Sequence, residues 1–253
     1  MSQKTVLITG ASQGIGAAIA LKLATEGYHS LLLARNEPKL QAISALIHAN
    51  GGKATYYKCD VSQALSVEAT LEKIEQEQGN LPLVIVNNAG WGGPFHKADE
   101  VSEEEWDKVF DTNVKSTFLF CRKLLPEMKK QGFGRIINIS SILGEFGALG
   151  SSTYAATKHA LIGYTKSLAV EWGNFGITAN SISPGYIATE MTEINEYNKA
   201  YFEAVLKQIP SGKMGKPEHI ADLVAFLANP ATTYINGENV VIDGGMTAGF
   251  DFR

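Results

Sequence analysis

The chain opens on a short apolar run, Thr5–Thr9 (TVLIT), that stops at Gly10 and passes through Gly14-Ile15-Gly16 into a helical pattern lasting to about residue 26. No other stretch limits the possible folds as strongly. Glycines at 10, 14 and 16 strip side chains from a turn between a strand and a helix, so an anionic group can approach the backbone at the positive end of that helix. Taken alone, such a turn could be only a tight connection. At the head of a chain that goes on alternating strands and helices, it predicts a dinucleotide-binding unit.

The alternation continues to the end. Strands are expected at His29–Ala34, 54–58, 83–86, 135–139, 177–182 and Asn239–Ile242, and helices at about 38–49, 65–78, 102–130, 151–173 and 217–229. The run at 83–86 is apolar at every position, as in a strand covered on both faces. Ser102 followed by Glu105 is a capping signal. Asn113 is a poor choice for the middle of the helix it starts, and a buried amide there needs partners, a kink or a water. The stretch from Ala188 to Met214 is polar and expected to be irregular. With no internal boundary, residues 1–253 are expected to form one doubly wound α/β domain of the Rossmann type, a seven-stranded parallel sheet with helices on both faces.

Composition removes several function classes. Of the 253 residues 45% are hydrophobic, the net charge is -4 and the basic residues are scattered, so no nucleic-acid partner is expected. No apolar stretch reaches membrane-spanning length, and the first residues lead directly into a strand without room for a signal peptide. Cys59 and Cys121 lack metal-ligand spacing, and no metal is expected. These features predict a soluble, cytoplasmic protein.

The chemistry concentrates between residues 140 and 158. Tyr154 and Lys158 are four apart in a helical pattern and share a face. An ammonium beside a phenol favours phenolate and is expected to lower the tyrosine from its usual pKa of about 10, so that it can trade a proton with an alcohol or ketone oxygen. By itself the pair could be a solvated helix face. Ser141, after the run RIINIS begins to close, offers a hydroxyl to the same oxygen. At the end of the second strand, where an acidic residue would accept from a ribose 2′-hydroxyl, stand Ala34 and then Arg35, which favours NADP(H). Asp60 is either a helix cap or a contact to adenine.

With those residues in view the chain resembles the short-chain dehydrogenase/reductase family over nearly its whole length. The matching elements are 9–16 (TGASQGIG), Asn87-Asn88-Ala89-Gly90, Asn113, Ser141 with Tyr154 and Lys158, and Pro184-Gly185 with Ile187 and Thr189. The resemblance implies that Tyr154 is the general acid or base. Lys158 would tune it and hold the nicotinamide ribose, Ser141 would orient the substrate, and Asn113 would anchor a water in a proton relay. It implies cofactor contacts from Gly10, Ser12, Gln13, Gly14, Ile15, Gly16, Arg35, Asp60, Val61, Asn87, Ala89, Gly90, Tyr154, Lys158, Pro184, Gly185, Ile187 and Thr189. Ser140 would point the other way.

Within the family the likeness is to 3-oxoacyl-[acyl-carrier-protein] reductases, with two departures. Gln13 stands where many NADPH-dependent members have a basic residue, and Phe175 where they tend to carry arginine. A 3-oxoacyl thioester is therefore the expected substrate, with an acyl carrier protein as a partner; a simple secondary-alcohol dehydrogenase and a non-catalytic NADP(H) sensor are the alternatives. The small residues Ala156, Ala160, Gly163 and Ser167 suggest close helix pairing in a homotetramer. Residues 188–214 are expected to form a substrate lid through Met191, Ile194, Tyr197, Tyr201 and Phe202, with Trp91, Phe95, Leu143 and Phe146 from neighbouring loops.

Overall fold

A computed structural model of the chain describes residues 4–190 and 199–249. Seven parallel strands form one sheet in the order β3-β2-β1-β4-β5-β6-β7. They are β1 (Thr5–Thr9), β2 (His29–Ala34), β3 (Lys53–Lys58), β4 (Val84–Asn87), β5 (Gly134–Ile139), β6 (Ile177–Pro184) and β7 (Asn239–Ile242). The order reverses between β1 and β4, which places a crevice at the carboxyl ends of those two strands.

Strand alternation divides the core in two. Val6 and Ile8 of β1, Leu32 of β2 and Val86 of β4 face a layer made by α1 (Gly14–Thr25), α2 (Glu37–Ala49) and α8 (Pro217–Ala228). Leu7, Leu31 and Ile85 face the opposite layer, with α3 (Ala64–Gln78), α5 (Ser116–Gln131) and α6 (Ser152–Trp172). Covered on both sides, the central strands have no wet face, which is why Val84–Val86 of β4 is apolar at every position.

Three local expectations are corrected. The helix foreseen at 102–130 is α4 (Glu103–Phe110), a π-helical turn at Asp111–Lys115 and then α5. Ser102 and Glu105 do form a reciprocal capping box at its start. The π turn is the answer to the awkward Asn113, which is 1% exposed and uses the widened turn to reach neighbouring elements. The stretch expected to be irregular holds α7 (Lys199–Gln208), whose buried face is Phe202 and Val205, three residues apart. Its charged residues hid that spacing. β6 continues to Pro184, which pairs with Ile242 instead of standing in a turn.

Candidate active site

The turn after β1 is a cradle that side chains would fill. Gly10 and Gly14 have φ of 66° and 55°, conformations that L side chains rarely adopt. A Cβ on Gly16 would collide with the Gly10 carbonyl oxygen, and one on Gly10 would lie 2.9 Å from Asn88 Nδ2. Gln13 precedes α1 without giving it a side-chain cap, and no acidic residue occupies its first turn. The amide groups at this end therefore point into the crevice with the positive end of the helix. Ser12 and Ile15 are half-buried on either side, and Ile15 packs on the core below. This cradle fits a dinucleotide pyrophosphate.

Thr9 and Asn88 tie the cradle to β4. Thr9 Oγ1 accepts from the backbone N–H groups of Asn88 at 3.0 Å and Ala89 at 2.9 Å, while Asn88 Nδ2 donates to the Thr9 carbonyl at 2.9 Å. These supporting residues were not singled out from sequence, although both stand inside the motifs that carry the resemblance. Asn87 behaves differently from its neighbour. Its side chain donates to Asn138 Oδ1 at 2.8 Å, and Asn138 donates to Thr165 Oγ1 at 2.8 Å, a buried chain inside the sheet and α6. Any cofactor contact from Asn87 is left to its backbone.

At the adenosine end, Arg35 is exposed directly after β2. Asp60 neither caps α3 nor lies isolated: its Oδ1 accepts from the Ser62 N–H at 3.1 Å and the Ser62 hydroxyl at 2.7 Å, shaping the turn that carries buried Val61. At the far end, Gly185 packs where a Cβ would lie 2.7 Å from Asp243 Cβ, buried Ile187 pairs with Gly215, and Thr189 reaches back across the groove. Its Cγ2 lies 3.4 Å from the Cβ position of Gly14, so the chain after β6 passes over the glycine turn.

The reacting groups meet beyond β4 and β5. Ser141 and Tyr154, thirteen residues apart, come together here, with Ser141 Oγ accepting from the Leu143 N–H at 3.1 Å and its hydroxyl acting on the Tyr154 phenol. Ser140 is spent elsewhere, donating to the Lys158 carbonyl at 3.1 Å, as strand alternation requires. Lys158 is 3% exposed; its ammonium donates to the Ile139 carbonyl at 2.8 Å and stands 5.3 Å from the centre of the Tyr154 ring. Burial holds that ammonium down to about 8. The phenol differs from expectation. Burial pushes Tyr154 above its ordinary value and Ser141 only partly offsets this, while the Lys158 ammonium is turned toward Ile139.

Asn113 completes the wall. Its amide accepts from the Trp91 N–H at 2.8 Å and donates to the Trp91 carbonyl and to Thr157 Oγ1, each at 3.0 Å. This fixes the loop after β4 against α6 at the residue before Lys158. A Cβ on Gly90 would lie 3.5 Å from Lys158 Nζ and 3.6 Å from Asn113 Oδ1, so this glycine keeps open a slot that both residues border.

The residues expected to line a substrate pocket divide. Tyr201 is half-exposed with its hydroxyl 2.7 Å from that of Tyr186, and Phe95 and Phe146 are exposed. Phe202 is buried in the packing of α7 and Leu143 is half-buried. Met191, Ile194 and Tyr197 lie outside the described residues. Among the described residues there is no cluster of three or more His, Cys, Asp or Glu able to hold a metal, and no helix long and apolar enough to cross a membrane.

A family profile described as Enoyl-(Acyl carrier protein) reductase matches residues 10–247. The 3-oxoacyl-[acyl-carrier-protein] reductase FabG of Pseudomonas aeruginosa is 42% identical over 243 residues, covering 96% of this chain and 97% of its own. The chain belongs to the short-chain dehydrogenase/reductase family. Solved structures agree. A gluconate dehydrogenase from Agrobacterium tumefaciens superposes with a TM-score of 0.93 at 30% identity, covering 98% of this chain and 97% of its own. An NAD(P)-dependent gluconate 5-dehydrogenase from Beutenbergia cavernae, with NADP bound, gives 0.92 at 31% identity over 98% of each chain. In this member of the family Gly10, Gly14, Gly16, Gly90, Tyr154 and Lys158 line one crevice with room for a dinucleotide.

Proposed function

We propose that this protein is an NADP(H)-dependent oxidoreductase that interconverts a carbonyl and a secondary alcohol, with a 3-oxoacyl thioester as substrate. The observation that carries the reading is the buried Lys158 ammonium 5.3 Å from the centre of the Tyr154 ring, with the Ser141 hydroxyl acting on the same phenol. Bound nicotinamide would supply or accept the hydride. The protein's own residues handle the oxygen: Tyr154 delivers its proton there, Ser141 donates a second hydrogen bond, and charged Lys158 stabilises the phenolate left behind. Asn113 holds the Trp91 wall and borders, with Lys158, the slot beside Gly90 that suits a relaying water.

Two hydroxyls directed at one oxygen favour a carbonyl over a carbon–carbon double bond, because only the carbonyl places an oxygen on the carbon that is reduced. The name carried by the Pseudomonas relative supports the same substrate class. The cation absent at Phe175 is supplied from α5, where Lys129 Nζ stands 4.3 Å from the Phe175 ring centre, and this supports an acidic carrier protein as the bearer of the acyl chain. Residues 188–214 are the proposed lid, a reading supported by Thr189, which crosses the glycine turn. Gly163 and Ser167 are exposed on α6 and support close pairing with a second copy in a homotetramer, which light scattering tests.

Steady-state comparison of acetoacetyl-CoA, a carrier-linked 3-oxoacyl chain and unactivated cyclic ketones with NADPH decides the substrate. Thioesters should give the highest kcat/KM. If they are the poorest of the set, a general ketone reductase replaces the reading.

A further inference from the structure

The Lys39 ammonium bridges the turn after β1 and the chain after β6. Lys39 lies in the first turn of α2, where its backbone N–H is capped by Asn36 Oδ1 at 3.1 Å. Its side chain leaves the helix and donates to Gln13 Oε1 at 2.8 Å, on the turn after β1, and to Glu190 Oε2 at 2.7 Å, on the chain after β6. Three segments, distant in sequence, therefore converge on one cation at the adenosine end of the groove. Arg35 stands four residues before Lys39, at the end of β2. Gln13, uncharged, occupies the place in the glycine turn from which a cation would be expected to help Arg35.

We propose that Lys39 is a specificity-determining residue for the cofactor: with Arg35 it forms the seat of the adenosine 2′-phosphate, and Glu190 is the carboxylate that the phosphate displaces from it. The inference rests on the NADP(H) reading above. Gln13 supplies no charge of its own but holds the lysine over the turn, so the basic contribution comes from α2 and not from the glycine loop. Glu190 keeps the ammonium paired. Both side chains of the ion pair are substantially exposed, at 41% and 63%, and such a pair contributes little and opens easily. A phosphate carries up to two charges and three acceptor oxygens, so it outcompetes one carboxylate for the same ammonium.

Calorimetric titration with adenosine 2′,5′-bisphosphate and with adenosine 5′-monophosphate tests this without turnover. Lys39→Gln should weaken the bisphosphate by roughly 3- to 30-fold and leave the monophosphate within about twofold. Glu190→Gln should tighten the bisphosphate several-fold, and the double variant should behave as Lys39→Gln alone. Equal loss for both ligands, no loss in Lys39→Gln, or weaker bisphosphate binding in Glu190→Gln would each overturn the role given to Lys39 and Glu190. A preference for the bisphosphate that survives in Lys39→Gln and disappears in Arg35→Ala would leave the NADP(H) reading standing and remove only the lysine. A parent protein that binds the two ligands equally would overturn both. Both substituted side chains are exposed, so unchanged melting temperatures should accompany every variant.

Discussion

Asn113 grips Trp91 by both of its backbone polar groups, accepting from the N–H at 2.8 Å and donating to the carbonyl at 3.0 Å. One amide thus substitutes for two strand hydrogen bonds and holds the loop after β4 on the π turn. Asn113→Ala should leave these groups and Thr157 Oγ1 without that partner, costing about 1–3 kcal/mol. For a chain of this size that is a fall in Tm of roughly 3–10 °C, readable by calorimetry. Turnover should fall more than NADPH affinity, because the wall beside Lys158 is lost and the glycine cradle is not.

Tyr154→Phe removes the proton donor and keeps the ring. Turnover should drop by about 10²–10⁴, the range for acid–base catalysis, while NADPH binding measured by fluorescence titration changes little. Turnover near that of the parent would remove Tyr154 from the mechanism.

Lys158 makes folding stability depend on pH in a direction that can be worked out. Its ordinary value of 10.5 is lowered to about 8 by burial, so the unfolded chain holds this proton more tightly than the native one. Stability therefore carries a penalty below about pH 8, and the penalty is relieved as pH rises from there toward 10.5. Lys158→Met removes the penalty and loses the hydrogen bond to Ile139, which costs about 1 kcal/mol. The variant should melt above the parent at pH 7 and lose that advantage by about pH 10, while its turnover is abolished. A difference in Tm that does not change over this range would show that the native amine titrates no lower than it does in the unfolded chain.

Arg135 is a charge 1% exposed that carbonyl groups hold in place of a carboxylate. Its guanidinium donates to the carbonyls of Gly134 at 2.8 Å, Gly176 at 3.2 Å, Asn229 at 3.4 Å and Pro230 at 2.9 Å, and lies 4.4 Å from the Phe133 ring centre. Asn229 and Pro230 follow α8, whose carboxyl end favours a cation. Lysine cannot fork to these positions, so Arg135→Lys should cost about 2–4 kcal/mol in chemical denaturation while kcat of the folded enzyme stays within about twofold.

The sheet was legible in the sequence because strands covered on both faces must be apolar at every position, as at Val84–Val86, and because Gly10, Gly14 and Gly16 perform a task that no side chain permits. The nearness of Tyr154 and Lys158 was legible for a similar reason: they share a helix, and a period of 3.6 residues sets their neighbourhood without help from the fold. What the ammonium does there was a tertiary matter. Lys158 turns to the Ile139 carbonyl, a partner nineteen residues away on β5, and burial raises the phenol against the pull of Ser141. The same holds for Asn113, whose composition announced a misfit while its partners, Trp91 and Thr157, lay on two other elements. Asn87 and Asn88 are adjacent in sequence, yet one belongs to a buried chain with Asn138 and the other to the glycine cradle, since successive side chains of a strand leave by opposite faces. Lys39 marks the limit most clearly. On α2 it is an ordinary helical lysine, and only the folding of β1 and the chain after β6 against one crevice brings Gln13 and Glu190 to its ammonium. Local periodicity and steric exclusion are written along the chain, whereas the charge and hydrogen-bond partners of a side chain depend on segments that meet only when the sheet has formed.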